Sequence, residues 1–108
     1  MKYAAIDIGT NAARLLIGEL IEDKGQSSVK KITYLRIPLR LGDDVFEDGK
    51  ISNTKLKMFI KTISVFSLLA QIYDVKNIRA VATSAMRIAE NSKNVVEEIK
   101  EQTSVNIE

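Results

Sequence analysis

The chain has 108 residues, 45% of them hydrophobic and 28% charged, with 5 Gly and 1 Pro. That is enough for one globular domain and too ordered a composition for a linker or disordered segment. Without Cys or His, thiolate and imidazole chemistry are excluded, and 16 basic against 14 acidic residues is too even a balance to imply nucleic acid.

Residues 3–8, Tyr-Ala-Ala-Ile-Asp-Ile, form a mostly apolar run ended by Gly9. They predict a buried strand with one acid near its carboxyl end. Asp7 also interrupts any apolar signal core at the N-terminus, so a cytoplasmic location is expected. Residues 13–22 alternate: Leu15, Ile17 and Ile21 share one face, Arg14, Leu16 and Leu20 the other. That predicts a second strand, although Ala, Leu and Glu also suit a helix. The polar stretch 23–28 predicts a hairpin turn, and the β-branched and aromatic residues of 29–39 a third strand.

Residues 40–51, with Gly42 and Gly49, predict a loop. Ser52 is then expected to cap a helix reaching Tyr73. Its stripe of Leu56, Phe59, Ile60, Ile63, Phe66, Ala70 and Tyr73 follows the 3.6-residue period. The apolar part of that helix, interrupted by Ser64, Ser67 and Gln71, falls short of the ~20 apolar residues of a membrane span. Residues 78–82 predict another short buried strand. Short helices follow around Ala85–Ala89 and Ser92–Gln102, and Ser104–Glu108 begins what reads as one more strand. Three hairpin-linked strands followed by crossover helices indicate a mixed sheet with helices packed on it. A domain that stops inside a strand is expected to be an excised N-terminal piece of a longer protein.

Two turns carry candidate chemistry. Asp7-Ile8-Gly9-Thr10-Asn11-Ala12-Ala13-Arg14 lies between two strands. Gly9 permits a tight turn, whose successive amides can converge on an anion. Thr10 and Asn11 add short donors, and Arg14 a planar guanidinium suited to phosphate oxygens. Asp7 is placed to hold a hydrated divalent cation. The plainer alternative is an ordinary hairpin with Asp7 capping its amides. No Walker loop or dinucleotide fingerprint is present. The second turn, Thr83-Ser84 with Arg87 one helical turn on, offers hydroxyls and amides at a helix start. Taken alone it is more simply a helix cap with a solvated Arg. Arg36 and Arg40, with Lys30 on the same face, could extend a cationic path for a polyanion, though a solvated edge strand explains Lys30 and Lys31 better and Arg40 equally well.

DIGTNAARLLI, RLGDDVFEDGKIS and AVATSAMRIAEN together resemble the exopolyphosphatase/guanosine pentaphosphate phosphatase family, of the actin-like superfamily with ribonuclease-H-like domains. The likeness runs through essentially the whole chain. It departs at Ala12, where the family carries a hydroxyl, and at Ile88, where an acid is common. The resemblance implies an α/β fold with a mixed five-stranded sheet of order 3-2-1-4-5, residues 1–108 being the N-terminal part of the first ribonuclease-H-like domain. It implies hydrolysis of a terminal phosphoanhydride of polyphosphate or guanosine pentaphosphate, with Mg²⁺ and a homodimeric full-length protein. The phosphate-binding residues would be Gly9, Thr10, Asn11, Ala12, Arg14, Thr83, Ser84 and Arg87, and the metal ligand Asp7. The general-base Glu would lie beyond Glu108, so the 108-residue chain is expected to be inactive. A superfamily kinase acting on a sugar or acetate, or an actin-like assembly domain, is the alternative.

Overall fold

The first strand, β1 (Lys2–Ile8), buries every second residue, Ala4, Ile6 and Ile8, as an apolar run with one polar-facing edge should. The computed structural model describes Met1–Glu108. β1 pairs antiparallel with β2 (Ala13–Asp23), from Lys2↔Glu19 to Ile8↔Ala13. β2 turns into β3 (Gln26–Ile37) through Lys24 and Gly25 alone, both at positive φ (52° and 79°). Two-residue hairpins need that backbone because it matches the twist of the strands. The expected six-residue turn therefore shrinks to two, and β3 starts three residues early.

β1 also pairs in parallel with β4 (Ile78–Ala82), so the sheet order is β3-β2-β1-β4. The fifth position is occupied by one parallel bridge, Ile107 to Ala80, flanked by hydrogen bonds that Glu108 N–H donates to Ala80 and Ala82 N–H donates to Glu108. The fold is thus the mixed α/β one expected, with four full strands and the start of a fifth.

One sheet face is covered. Ile6, Ile8, Leu15 and Ile17 point into a core shared with Phe59, Ile63, Phe66 and Ala70 of α2 (Asn53–Ile72) and with Val95 and Ile99 of α4 (Ser92–Thr103). Each such Ile, Leu, Val or Phe side chain contributes about 1.5–3 kcal/mol when fully buried. α2 begins as anticipated: Ser52 Oγ accepts the Lys55 N–H at 3.2 Å. Its apolar stripe is the inward one. No helix is long and apolar enough to cross a membrane.

Residues 41–48 correct the sequence expectation. They form a helix, α1 (Leu41–Asp48), where a loop was anticipated. Arg40 enters it in the left-handed region (φ 54°, ψ 48°), and Gly49 leaves it at φ 75°. Leu41 and Val45, four apart, are both buried, so tertiary packing outweighs the poor helix propensity of Gly42. α3 (Ser84–Ile88) completes the set.

Candidate functional site

The turn between β1 and β2 is built by bonds that reach far along the chain. Gly9 N–H donates to the Ala12 carbonyl at 2.9 Å, closing the hairpin, so that amide is already committed. The carbonyls of Thr10 and Asn11 are committed too. They accept N–H groups of Gly42 and Arg40, each at 3.0 Å. The remaining donors are not. The N–H groups of Thr10, Asn11 and Ala12 have no acceptor within the chain. A peptide plane holds its C=O and N–H in opposite directions. Anchoring the Thr10 and Asn11 carbonyls on the start of α1 therefore aims the Asn11 and Ala12 amides away from it. Ala12 is only 4% exposed, and an enclosed residue ordinarily pairs its amide. Two pre-aimed, acceptor-less amides are what an anion-binding concavity requires.

Gly42 allows this docking. A Cβ at that position would run into Thr10 Cγ2, closer than real atoms approach. Gly9 is less demanding: its φ is not positive, and a Cβ would meet the Ala12 carbonyl oxygen at 3.3 Å. Its role is close approach within the hairpin, not left-handed geometry.

Beside the turn, Asp7 and Arg14 are register partners on the sheet face that carries no helix. Arg14 Nη1 is 3.7 Å from Asp7 Oδ2, and both side chains are about half exposed. The guanidinium thus stands next to the turn with its charge only partly answered. No three Asp, Glu, His or Cys side chains cluster anywhere in the chain, so no all-protein metal cage is built. A divalent cation held through one carboxylate and substrate oxygens needs no such cage, and Asp7 fits that single-carboxylate role.

The other turn is arranged differently. Thr83 donates both its N–H (3.0 Å) and its hydroxyl (3.3 Å) to the Ile8 carbonyl. Its donors fasten β4 to the end of β1. Ser84 is exposed, and neither its hydroxyl nor its amide donates a hydrogen bond within the chain. Arg87 is exposed and lines a cavity of about 600 Å³ with Val81, Met86, Lys93, Val96 and Glu97, to which the Gly9–Arg14 turn contributes nothing. The structure brings Asp7, Gly9, Thr10, Asn11, Ala12 and Arg14 together, sets Ser84 at the neighbouring strand end, and has Arg87 line a cavity that the turn does not border.

The family model described as the Ppx/GppA phosphatase family matches residues 20–108. The chain belongs to the Ppx/GppA phosphatase family. It is 31% identical over 107 residues to the bifunctional 3-dehydroquinate synthase/phosphatase of Fusobacterium nucleatum, covering 96% of this chain and 16% of that protein. To exopolyphosphatase 1 of Mycobacterium tuberculosis it is 28% identical over 108 residues, covering 100% of this chain and 30% of that one. The crystal structure of the Aquifex aeolicus Ppx/GppA family member superposes with a TM-score of 0.88 at 29% identity, covering 100% of this chain and 34% of that one. The chain spans about a third of that structure's length and less of these curated relatives'.

The Ppx/GppA segments that match beyond the first turn have structural duties that sequence reasoning missed. Asn91 Oδ1 accepts the Ile51 N–H at 3.0 Å, and its Nδ2 donates to the Ile51 carbonyl at 2.9 Å. Glu90 N–H donates to Gly49 O. The second and third matched segments are therefore stitched to each other. Asp44 Oδ2 accepts both the Ser52 amide (3.0 Å) and hydroxyl (2.6 Å), tying α1 to the start of α2. Burial draws the Asp44 carboxyl upward. Those two Ser52 donors and the charge of Lys55 outweigh it and hold the carboxyl below its ordinary value. Gly42 reads as a loop signal in sequence but is held inside α1 by its close approach to Thr10, a packing reason local sequence does not show.

Proposed function

We propose that this chain supplies part of the phosphate seat of a Ppx/GppA hydrolase that cleaves the terminal phosphoanhydride of inorganic polyphosphate or guanosine pentaphosphate. The observation that carries it is the pair of Asn11 and Ala12 amides, aimed by carbonyls anchored on Gly42 and Arg40 and left without an acceptor. Phosphoryl transfer spreads negative charge over the equatorial oxygens, so catalysis rests on positioned donors and cations more than on covalent chemistry. Thr10, Asn11 and Ala12 amides hold the terminal phosphoryl, and Gly9 keeps the hairpin narrow enough to present them. Arg14 stabilises the charge that develops as water attacks in line. Ser84 offers a further hydroxyl from the neighbouring strand end. Thr83 keeps the two strand ends together, and Arg87, about one helical turn beyond it, offers a further guanidinium to phosphoryl oxygens. A Mg²⁺ held by Asp7 would neutralise phosphoryl oxygens. The base for the attacking water comes from outside these 108 residues, so the chain by itself binds phosphate without turning it over.

Thermal-shift measurement tests the substrate class, because a ligand that binds only the folded state raises the melting temperature. Polyphosphate or guanosine pentaphosphate should stabilise the protein and ATP should not. Stabilisation by ATP alone would point to a superfamily kinase instead. Steady release of inorganic phosphate by the 108-residue chain would contradict the division of labour proposed here.

A further inference from the structure

Arg14 and Arg36 are register partners across β2 and β3, so their side chains leave the same sheet face. Like charges directly opposite each other destabilise an antiparallel pair. Asp7 answers Arg14. Arg36 has no carboxylate partner, and neither has Arg40: the molecule's two ion pairs are Arg14–Asp7 and Arg79–Glu108. Both unanswered guanidinium residues border one cavity of about 340 Å³, on the flank of the Gly9–Ala12 turn. Asn11, Pro38 and Asp43 complete its lining. Asp43 opposes an anion there, so one cation alone would not suffice.

Arg40 adds a second observation. Its backbone occupies the left-handed region, which glycine enters freely and arginine does not. Its N–H is bonded to the Asn11 carbonyl at 3.0 Å, which fixes the root of the side chain to the turn itself. Lys24, Asp74 and Ser104 share that backbone region, so what sets Arg40 apart is its bond to the turn that carries the open amides.

We propose that Arg36 and Arg40 form a second anion subsite, which takes a further phosphoryl group of the linear condensed phosphate whose terminal group occupies the turn. The proposal rests on the phosphate seat described above. It adds a preference for condensed phosphate over orthophosphate, carried from Arg14 through Arg36 to Arg40. Each guanidinium can give a planar pair of charge-assisted hydrogen bonds to phosphoryl oxygens.

Calorimetric titration of the chain with orthophosphate and with linear polyphosphate tests it. Arg36→Gln and Arg40→Gln should each weaken polyphosphate binding about tenfold, the loss of one charge-assisted contact. Orthophosphate binding should stay within about twofold, because exposed charges beyond the first contact are screened. Lys30→Gln, which removes the same charge further along β3, should change neither. Arg40→Gly guards against misfolding: it should raise the melting temperature by about 4 °C, yet weaken polyphosphate as Arg40→Gln does. Polyphosphate affinity that is unchanged in the Arg variants, or that falls equally in Lys30→Gln, overturns the subsite while orthophosphate binding at the turn stands. A wild-type chain that binds neither phosphate overturns the seat and the subsite together.

Discussion

The turns after β1 and β4 look alike in sequence and differ in how their hydrogen bonds are spent. Both follow a short buried strand, and both present small polar residues with an Arg three or four positions on. After β4, Thr83 turns its amide and hydroxyl onto the Ile8 carbonyl and becomes a strut between strands. After β1, the carbonyls are the anchored groups and the amides of Thr10, Asn11 and Ala12 remain open. Small polar residues at a strand end are therefore not in themselves a site. What decides is which half of each peptide the rest of the fold has already claimed.

The sharpest way to break this contrast is to unseat the first turn from α1. Gly42→Ala, placing a Cβ on the Thr10 methyl, should lower stability by about 2 kcal/mol through overpacking and weaken phosphate binding about tenfold. Adding Thr10→Ser removes that methyl and should restore much of both, read by thermal denaturation and phosphate titration. Next in size, Arg14→Gln should weaken phosphate binding about tenfold while changing stability by less than about 0.5 kcal/mol, since a half-exposed ion pair contributes little.

Much of the frame behind these predictions was legible in the chain. The apolar run 3–8 and the alternation of residues 13–22 report two strands of the sheet, and the Phe59–Ile63–Phe66–Ala70 spacing reports α2. The three matched segments supply the strand order. α1 was not legible, because only Leu41 and Val45 of its three apolar residues turn inward, with Phe46 exposed, and their burial depends on the assembled core. The donors that anchor the first turn lie about thirty residues along the chain from it. Thr83 and its acceptor Ile8 are 75 residues apart. Local pattern carries no information about such partners, so the difference in how the two turns spend their hydrogen bonds is invisible in the sequence.

A smaller effect separates the turns from the other side. Thr83→Val keeps the shape and removes the hydroxyl bond to Ile8. It should cost about 1 kcal/mol of stability and leave phosphate affinity within about twofold, as a strut and not a ligand. The smallest is a pH effect at the anchoring end of α1. The Asp44 carboxyl is held below its ordinary value in the folded state. Its contribution is therefore present above about pH 4 and lost as pH falls through the depressed folded value. Asp44→Asn should remove that part of the acid sensitivity in melting curves measured across acid pH.

An isotope-labelled sample titrated with orthophosphate, followed by amide resonances, bears most directly on the pre-aimed donors. The Asn11 and Ala12 amides should shift first and furthest, with Gly9, whose N–H is already bonded to Ala12, moving little. Shifts confined to the lysines of β3 and α2, with Asn11 and Ala12 still, would contradict an anion seat built by the anchored turn.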